Sequence, residues 1–77
     1  MGRVVRFSVV DDSGAPASGQ TIASATFEVT TGADGLAQAL LDDDDTAITL
    51  NGVVVYQGTL EALRPVEEFT TAGKRRT

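Results

Sequence analysis

The side chains able to do chemistry are few, and nearly all are carboxylates. Asp42, Asp43, Asp44 and Asp45 run together, Asp11-Asp12 and Glu67-Glu68 are adjacent pairs, and Asp34 sits in a turn beside Gly35. Clustered carboxylates suit two kinds of work. One is binding a hard cation such as calcium, which takes about six to eight oxygen ligands. The other is general acid–base catalysis, which needs a buried pair with displaced pKa values. Histidine and cysteine are both absent. That excludes imidazole and thiolate zinc ligands, Ser-His and Cys-His nucleophiles, and an imidazole base. No G-x-x-x-x-G-K-S/T phosphate loop occurs.

Neither use of the carboxylates is well supported by spacing. The Asp run lacks the D-x-D-x-D-G framework of a calcium loop, and neighbouring side chains in an extended segment point to opposite sides. Asp42 to Asp45 are therefore expected to form a solvated loop. A weak calcium site on these four residues is the lesser alternative, with Asp11, Asp12 and Asp34 adding ligands if their loops meet. Adjacency does not give Asp11-Asp12 or Glu67-Glu68 a shared pocket. No catalytic residue or cofactor is assigned, and the chain is expected not to be an enzyme.

The elements that must carry these residues read as strands. Arg3 to Val10 alternates Val5, Phe7 and Val9 with Arg6 and Ser8, the period of a half-buried strand. Val4 and Val10 fall on the other face, so that face is partly covered too. Residues 11–19 (DDSGAPASG) are turn chemistry. Residues 20–30 are rich in Thr, Ile, Val and Phe, with a small-residue break or bulge at Ala23-Ser24-Ala25. Leu36 to Leu41 reads as a strand between turns. Asn51-Gly52, between Ala47–Leu50 and Val53–Tyr56, is a strong hairpin signal, because a type I′ turn needs two positive φ angles. Val53 and Val55 should face one way, Val54 and Tyr56 the other. Residues 59–64 could make one helical turn, with Thr59 as cap, ended by Pro65. Residues 66–71 make a last strand, and the remainder should fray. Phe7, Phe27 and Phe69 at strand period read as core.

Seventy-seven residues with no disulfide make one domain, burying only roughly 60% of the surface its unfolded form exposes. The predicted organisation is a single β-sandwich domain over residues 1–72 and a basic flexible tail over 73–77. The net charge of -5 is uneven: the tail holds Lys74, Arg75 and Arg76, while the body sets three arginines against all eleven acids. An acidic body argues against nucleic acid and anionic membrane as partners. No apolar run reaches the length of a membrane helix, and residues 1–10 lack a signal-peptide pattern. The chain is thus expected to be made in the cytoplasm, with its final location unknown.

Three segments, in order, resemble a known family. VVDDSGAPASG is similar to the strand plus D-x-x-G-x-P-x-x-G opening of transthyretin-like, carboxypeptidase-regulatory-like β-sandwiches. TTGADGLAQALL resembles their T-x-A-D-G-x-A-x-x-x-L segment, and ITLNGVVVYQG their asparagine–glycine hairpin. Related bacterial immunoglobulin-like modules share the ADG-x-A turn. The likeness spans residues 4–58. It implies an all-β fold, a small antiparallel β-sandwich of six or seven short strands, transthyretin-like or immunoglobulin-like. It also implies an accessory, spacer or recognition role. The family's hydroxyisourate hydrolases depend on histidines, which this chain lacks.

The expected function is a non-enzymatic protein-interaction or structural module, such as a small component of a phage or contractile-injection particle. The alternative is a cell-surface or carbohydrate-binding accessory domain with a weak calcium site, although the chain has no tryptophan to stack on sugars. The contact is expected at a sheet edge, through a protein partner or self-association. The residues predicted to carry it are Val53, Val54, Val55 and Tyr56, together with Lys74, Arg75 and Arg76.

Overall fold

The computed structural model describes residues 2–76; Met1 and Thr77, which the expected domain and tail included, lie outside them. Eight strands follow in order: β1 (Arg3–Val10), β2 (Thr21–Ala23), β3 (Glu28–Thr30), β4 (Leu36–Leu41), β5 (Ala47–Leu50), β6 (Val53–Gln57), β7 (Val66–Thr70) and β8 (Lys74–Arg76). One 3-10 turn, Leu60–Ala62, lies between β6 and β7. The all-β sandwich expectation holds, with eight strands where six or seven were expected.

The strands form two four-stranded sheets, in the orders β4-β1-β7-β8 and β3-β2-β5-β6. All pairings are antiparallel except β1 with β7, which run parallel from Arg6↔Val66 to Val10↔Thr70. Between the sheets lie Val5, Phe7 and Val9 of β1, Leu41 of β4, Ile22 of β2, Ile48 and Leu50 of β5 and Phe69 of β7. Alternation along β1 puts its phenylalanine at the centre. Phe7 stacks between Phe27 and Phe69, with ring centroids 5.9 and 5.8 Å away. Burying such rings removes a large apolar area from water, which matters in a core this small.

The β5–β6 turn adopts the predicted geometry, with φ of 51° at Asn51 and 88° at Gly52. Asn51 also braces the next strand: its Oδ1 accepts from the Thr21 N–H at 2.9 Å. The 3-10 turn forms within the predicted segment, but Thr59 makes no side-chain capping bond.

Two expectations are corrected. Strict alternation in β6 fails because the β5–β6 register shifts between Ile48 and Thr49, leaving Val55 as an extra residue. A bulge of this kind lets consecutive residues face one side, so Val55 and Tyr56 are both buried while Val53 and Val54 are both exposed. The second correction is the tail. Lys74 to Arg76 do not trail off but form β8, paired antiparallel with β7. Gly73, at φ of 83°, closes the tight connection, its N–H donating to the Thr70 carbonyl.

Candidate functional site

Glu67 decides the fate of the basic end. It lies on the inward face of β7 with no exposed surface, where an unpaired carboxylate would be very costly. Two arginines neutralise it. Arg75 of β8 donates from Nε to Oε1 and from Nη2 to Oε2, each at 2.7 Å. Arg64, just before β7, adds its backbone N–H to Oε2 at 2.7 Å and its Nη2 to Oε1 at 3.0 Å. The Arg75 guanidinium also lies 4.9 Å from the centre of the Tyr56 ring, a cation–π contact that ties β8 to the opposite sheet. Burial alone would raise the Glu67 carboxyl. The Arg75 and Arg64 bonds and the charge of Arg75 outweigh it and hold the pKa at about 2. The same pairing raises the pKa of Arg75.

This reassigns several residues predicted to meet a partner. Arg75 is engaged internally. Arg76 pairs on the outer face with Glu68 at 3.0 Å, and Lys74 is exposed. Tyr56 is buried, and its hydroxyl donates to the Thr59 carbonyl at 2.6 Å. Val55 is buried beside it. Val53 and Val54 do lie exposed on β6, the outer strand of its sheet. Gly73 approaches Val53 closely: a Cβ there would sit 3.0 Å from Cγ1 of Val53.

The Asp run is a structural turn with one buried anchor, which corrects the expectation of four solvated side chains. Asp45 has no exposed surface. Its Oδ1 accepts from the Thr26 N–H at 2.9 Å, and its Oδ2 from the Thr26 hydroxyl at 2.5 Å and the Asp42 N–H at 2.9 Å. Burial would raise this carboxyl, but these bonds together lower its pKa. Asp45 thus fastens the β4–β5 turn to the β2–β3 loop. Asp42 accepts from the Asp44 N–H at 2.8 Å, an Asx turn that shapes the loop. Among the described residues no three His, Cys, Asp or Glu side chains gather in a way that could hold a metal ion.

Asp11 is likewise occupied with folding. Asp11 Oδ1 accepts from the Ser13 hydroxyl and from the Ser13 and Ala15 N–H groups, at 2.6, 2.9 and 3.0 Å, which lowers its pKa. Glu67 and Glu68 face opposite sides of the sheet and share no pocket. The loops at residues 11–19 and 31–35 meet at the end of β1. Val9 donates to the Gly35 carbonyl and accepts from the Ala17 N–H, both at 2.8 Å. Thr31, buried, accepts from the Gln20 N–H and donates to the Ala17 carbonyl. The turn residues quoted in the sequence comparison therefore brace one end of the sandwich.

The surface feature that sequence reasoning underrated is the outer face of the β4-β1-β7 sheet. Val4, Leu36, Leu40 and Val66 are all about half exposed or more, Leu40 the most at 66%. The register places Val4 beside Leu40, and Arg6 between Gln38 and Val66. A shallow groove is lined by Arg6, Leu36, Ala37, Gln38 and Val66. The sequence signal was present: Val4 and Leu40 occupy positions that should be polar on a solvated face.

No family model, curated protein or solved structure matches this chain. No helix among the described residues is long and apolar enough to cross a membrane. Chemically, the arrangement offers apolar contact around one cation and unpaired strand edges. The shifted carboxylates are ionised at neutral pH and bound to the fold itself.

Proposed function

We propose that this chain is a non-enzymatic protein-interaction or structural module of transthyretin-like or immunoglobulin-like build. One observation carries the reading: Val4, Leu36, Leu40 and Val66 share the outer face of one sheet and remain uncovered. Apolar side chains grouped on one face of a small domain mark a contact surface. Arg6 in their midst favours a partner that offers apolar side chains and a carboxylate. A role as a small component of a phage or contractile-injection particle fits such a domain, which would be covered on assembly.

The glycan-binding alternative with a calcium site draws less support, since the Asp45 oxygens already hold three hydrogen bonds. The test is binding by a Leu36→Ser/Leu40→Ser double variant. Both side chains are exposed, so the fold should survive, as thermal unfolding would verify. Loss of the partner, or of self-association, is the expected result. A folded double variant that binds as the unaltered chain does would overturn the reading.

A further inference from the structure

Each sheet edge presents backbone groups able to pair with another strand, and proteins usually protect such edges with charge, bulges or brevity. The four edge strands here are β4 and β8 of one sheet, and β3 and β6 of the other. β8 is only three residues long and begins with the exposed charge of Lys74. β3 has three residues, one of them Glu28. β6 is uncharged but bulged at Val55. β4 (LAQALL) has no charge, proline or register shift over six residues. Among the described residues it pairs with β1 alone; β3 approaches it from the other sheet but bonds β2.

The free part of this edge can be located. Leu36 is satisfied on the side away from β1: its carbonyl accepts from the Gly32 N–H at 3.1 Å, and its N–H donates to Asp34 Oδ1 at 3.1 Å. In an antiparallel ladder alternate residues direct their backbone groups the same way. Gln38 and Leu40 therefore also aim N–H and C=O away from β1, and among the described residues no backbone or side-chain bond meets them. At the far end the Asp42 N–H is taken by Asp45, and the Asp42 carbonyl by the Asp45 N–H. The open edge is thus two residues long, closed on both sides by local turns and centred on Ala39.

That arrangement is complementary to itself. An antiparallel copy placed about a twofold axis at Ala39 sets Gln38 opposite Leu40 of the second copy, and Leu40 opposite its Gln38. Each pairing joins two donors to two acceptors, so four backbone hydrogen bonds form and none of the four N–H or C=O groups is left over. No charge crosses the axis. The outer-face row made by Val4 and Leu40 continues onto the second copy as its Gln38 and Arg6, and the two edges join into one eight-stranded sheet.

We infer that this protein forms a homodimer through antiparallel β4–β4 edge pairing centred on Ala39. The inference rests on the interaction-module reading and specifies its first partner as a second copy of the chain.

Two measurements on the full chain test it: sedimentation equilibrium over a range of concentrations, and amide hydrogen exchange. The expected mass is twice that of the chain at high concentration. The Gln38 and Leu40 amides should be protected there and should exchange rapidly on dilution. Gln38→Pro removes an outward N–H without touching a β1 bond, a position where an edge strand tolerates proline. Leu40→Lys places like charges near the axis. Each variant should remain folded and become monomeric, while Val54→Lys on β6 should remain dimeric.

A monomeric unaltered chain would overturn the inference. So would a dimer in which Gln38 and Leu40 exchange rapidly, or one that a folded Leu40→Lys variant retains. A monomer that still binds a different protein through Val4 and Val66 would overturn the dimer while leaving the interaction reading in place.

Discussion

Arg75 grips Glu67 at two points, with Nε on Oε1 and Nη2 on Oε2, each at 2.7 Å. The acid is wholly buried and the arginine partly exposed. This pair converts a run of three basic residues into the outer strand of a sheet. It should therefore govern stability well beyond its size.

Glu67→Ala would leave Arg64 and Arg75 facing each other without an anion, and Arg75→Ala would leave the buried carboxylate with one partner. Breaking a buried pair from one side costs about 3 to 5 kcal/mol. Either change should lower the urea midpoint steeply, and removal of residues 74–77 should do the same. A C-terminal truncation with unchanged stability would show that β8 contributes nothing to the fold.

Acid should act through the same carboxylate. Folding lowers the Glu67 pKa from 4.5 to about 2, so the folded state favours the ionised form. Its contribution is complete above about pH 4.5 and is lost as pH falls toward 2. The shift corresponds to about 3 kcal/mol. The Asp45 pKa is also lowered and acts with the same sign. Unfolding free energy measured from neutral pH down to pH 2 should drop across this window, and Glu67→Gln should flatten the drop. A wild-type curve level to pH 2 would contradict the pairing.

Gly35 should tolerate no side chain. Its φ is 74°, and a Cβ would lie 2.7 Å from the Val9 carbonyl oxygen, itself bonded to Ala17. Gly52 has a φ of 88° but nothing within 4 Å of an added Cβ. Gly52→Ala should thus cost about 1 kcal/mol from backbone conformation alone, and Gly35→Ala distinctly more. Parallel thermal melts would compare them; equal losses would refute the close approach.

The four consecutive aspartates should be unequal. Asp45→Ala strips three hydrogen-bond donors of their acceptor in a buried place, worth about 2 kcal/mol or more. Asp44→Ala alters an exposed side chain and should change stability by about 0.5 kcal/mol or less. Calcium titration followed by thermal unfolding would show whether the loop also binds a cation. Equal effects of the two substitutions would remove Asp45 from its anchoring role.

What the sequence revealed depended on range. β1, β4 and the Asn51-Gly52 hairpin were legible because alternation and turn chemistry are local. The inward placement of Glu67 was not legible, since an acid in a strand ordinarily faces water. With it went β8, because Lys74 to Arg76 read as solvated charge without the buried carboxylate that holds Arg75. Gly73 after Thr71 and Ala72 was the available clue, a glycine positioned for a three-residue hairpin. The bulge at Val55 left no local mark, and it decided which side of β6 Tyr56 would face. Asp45 differed from its three neighbours only through Thr26, which is distant in sequence. The outer-face leucines were visible as a break in alternation but drew no site assignment.

The parallel pairing of β1 with β7 sets an order of events during synthesis. β1 is made first and β4 can join it soon after, yet its other side waits for residues 66–70. Contacts between segments so far apart in the chain form slowly, because a long loop must close before any bond repays the lost freedom. While the polypeptide is still growing, β1 carries an unpaired flank and Phe7 lacks Phe69. Until residues 66–70 join it, that open flank and the half-covered Phe7 leave the unfinished sandwich exposed to aggregation.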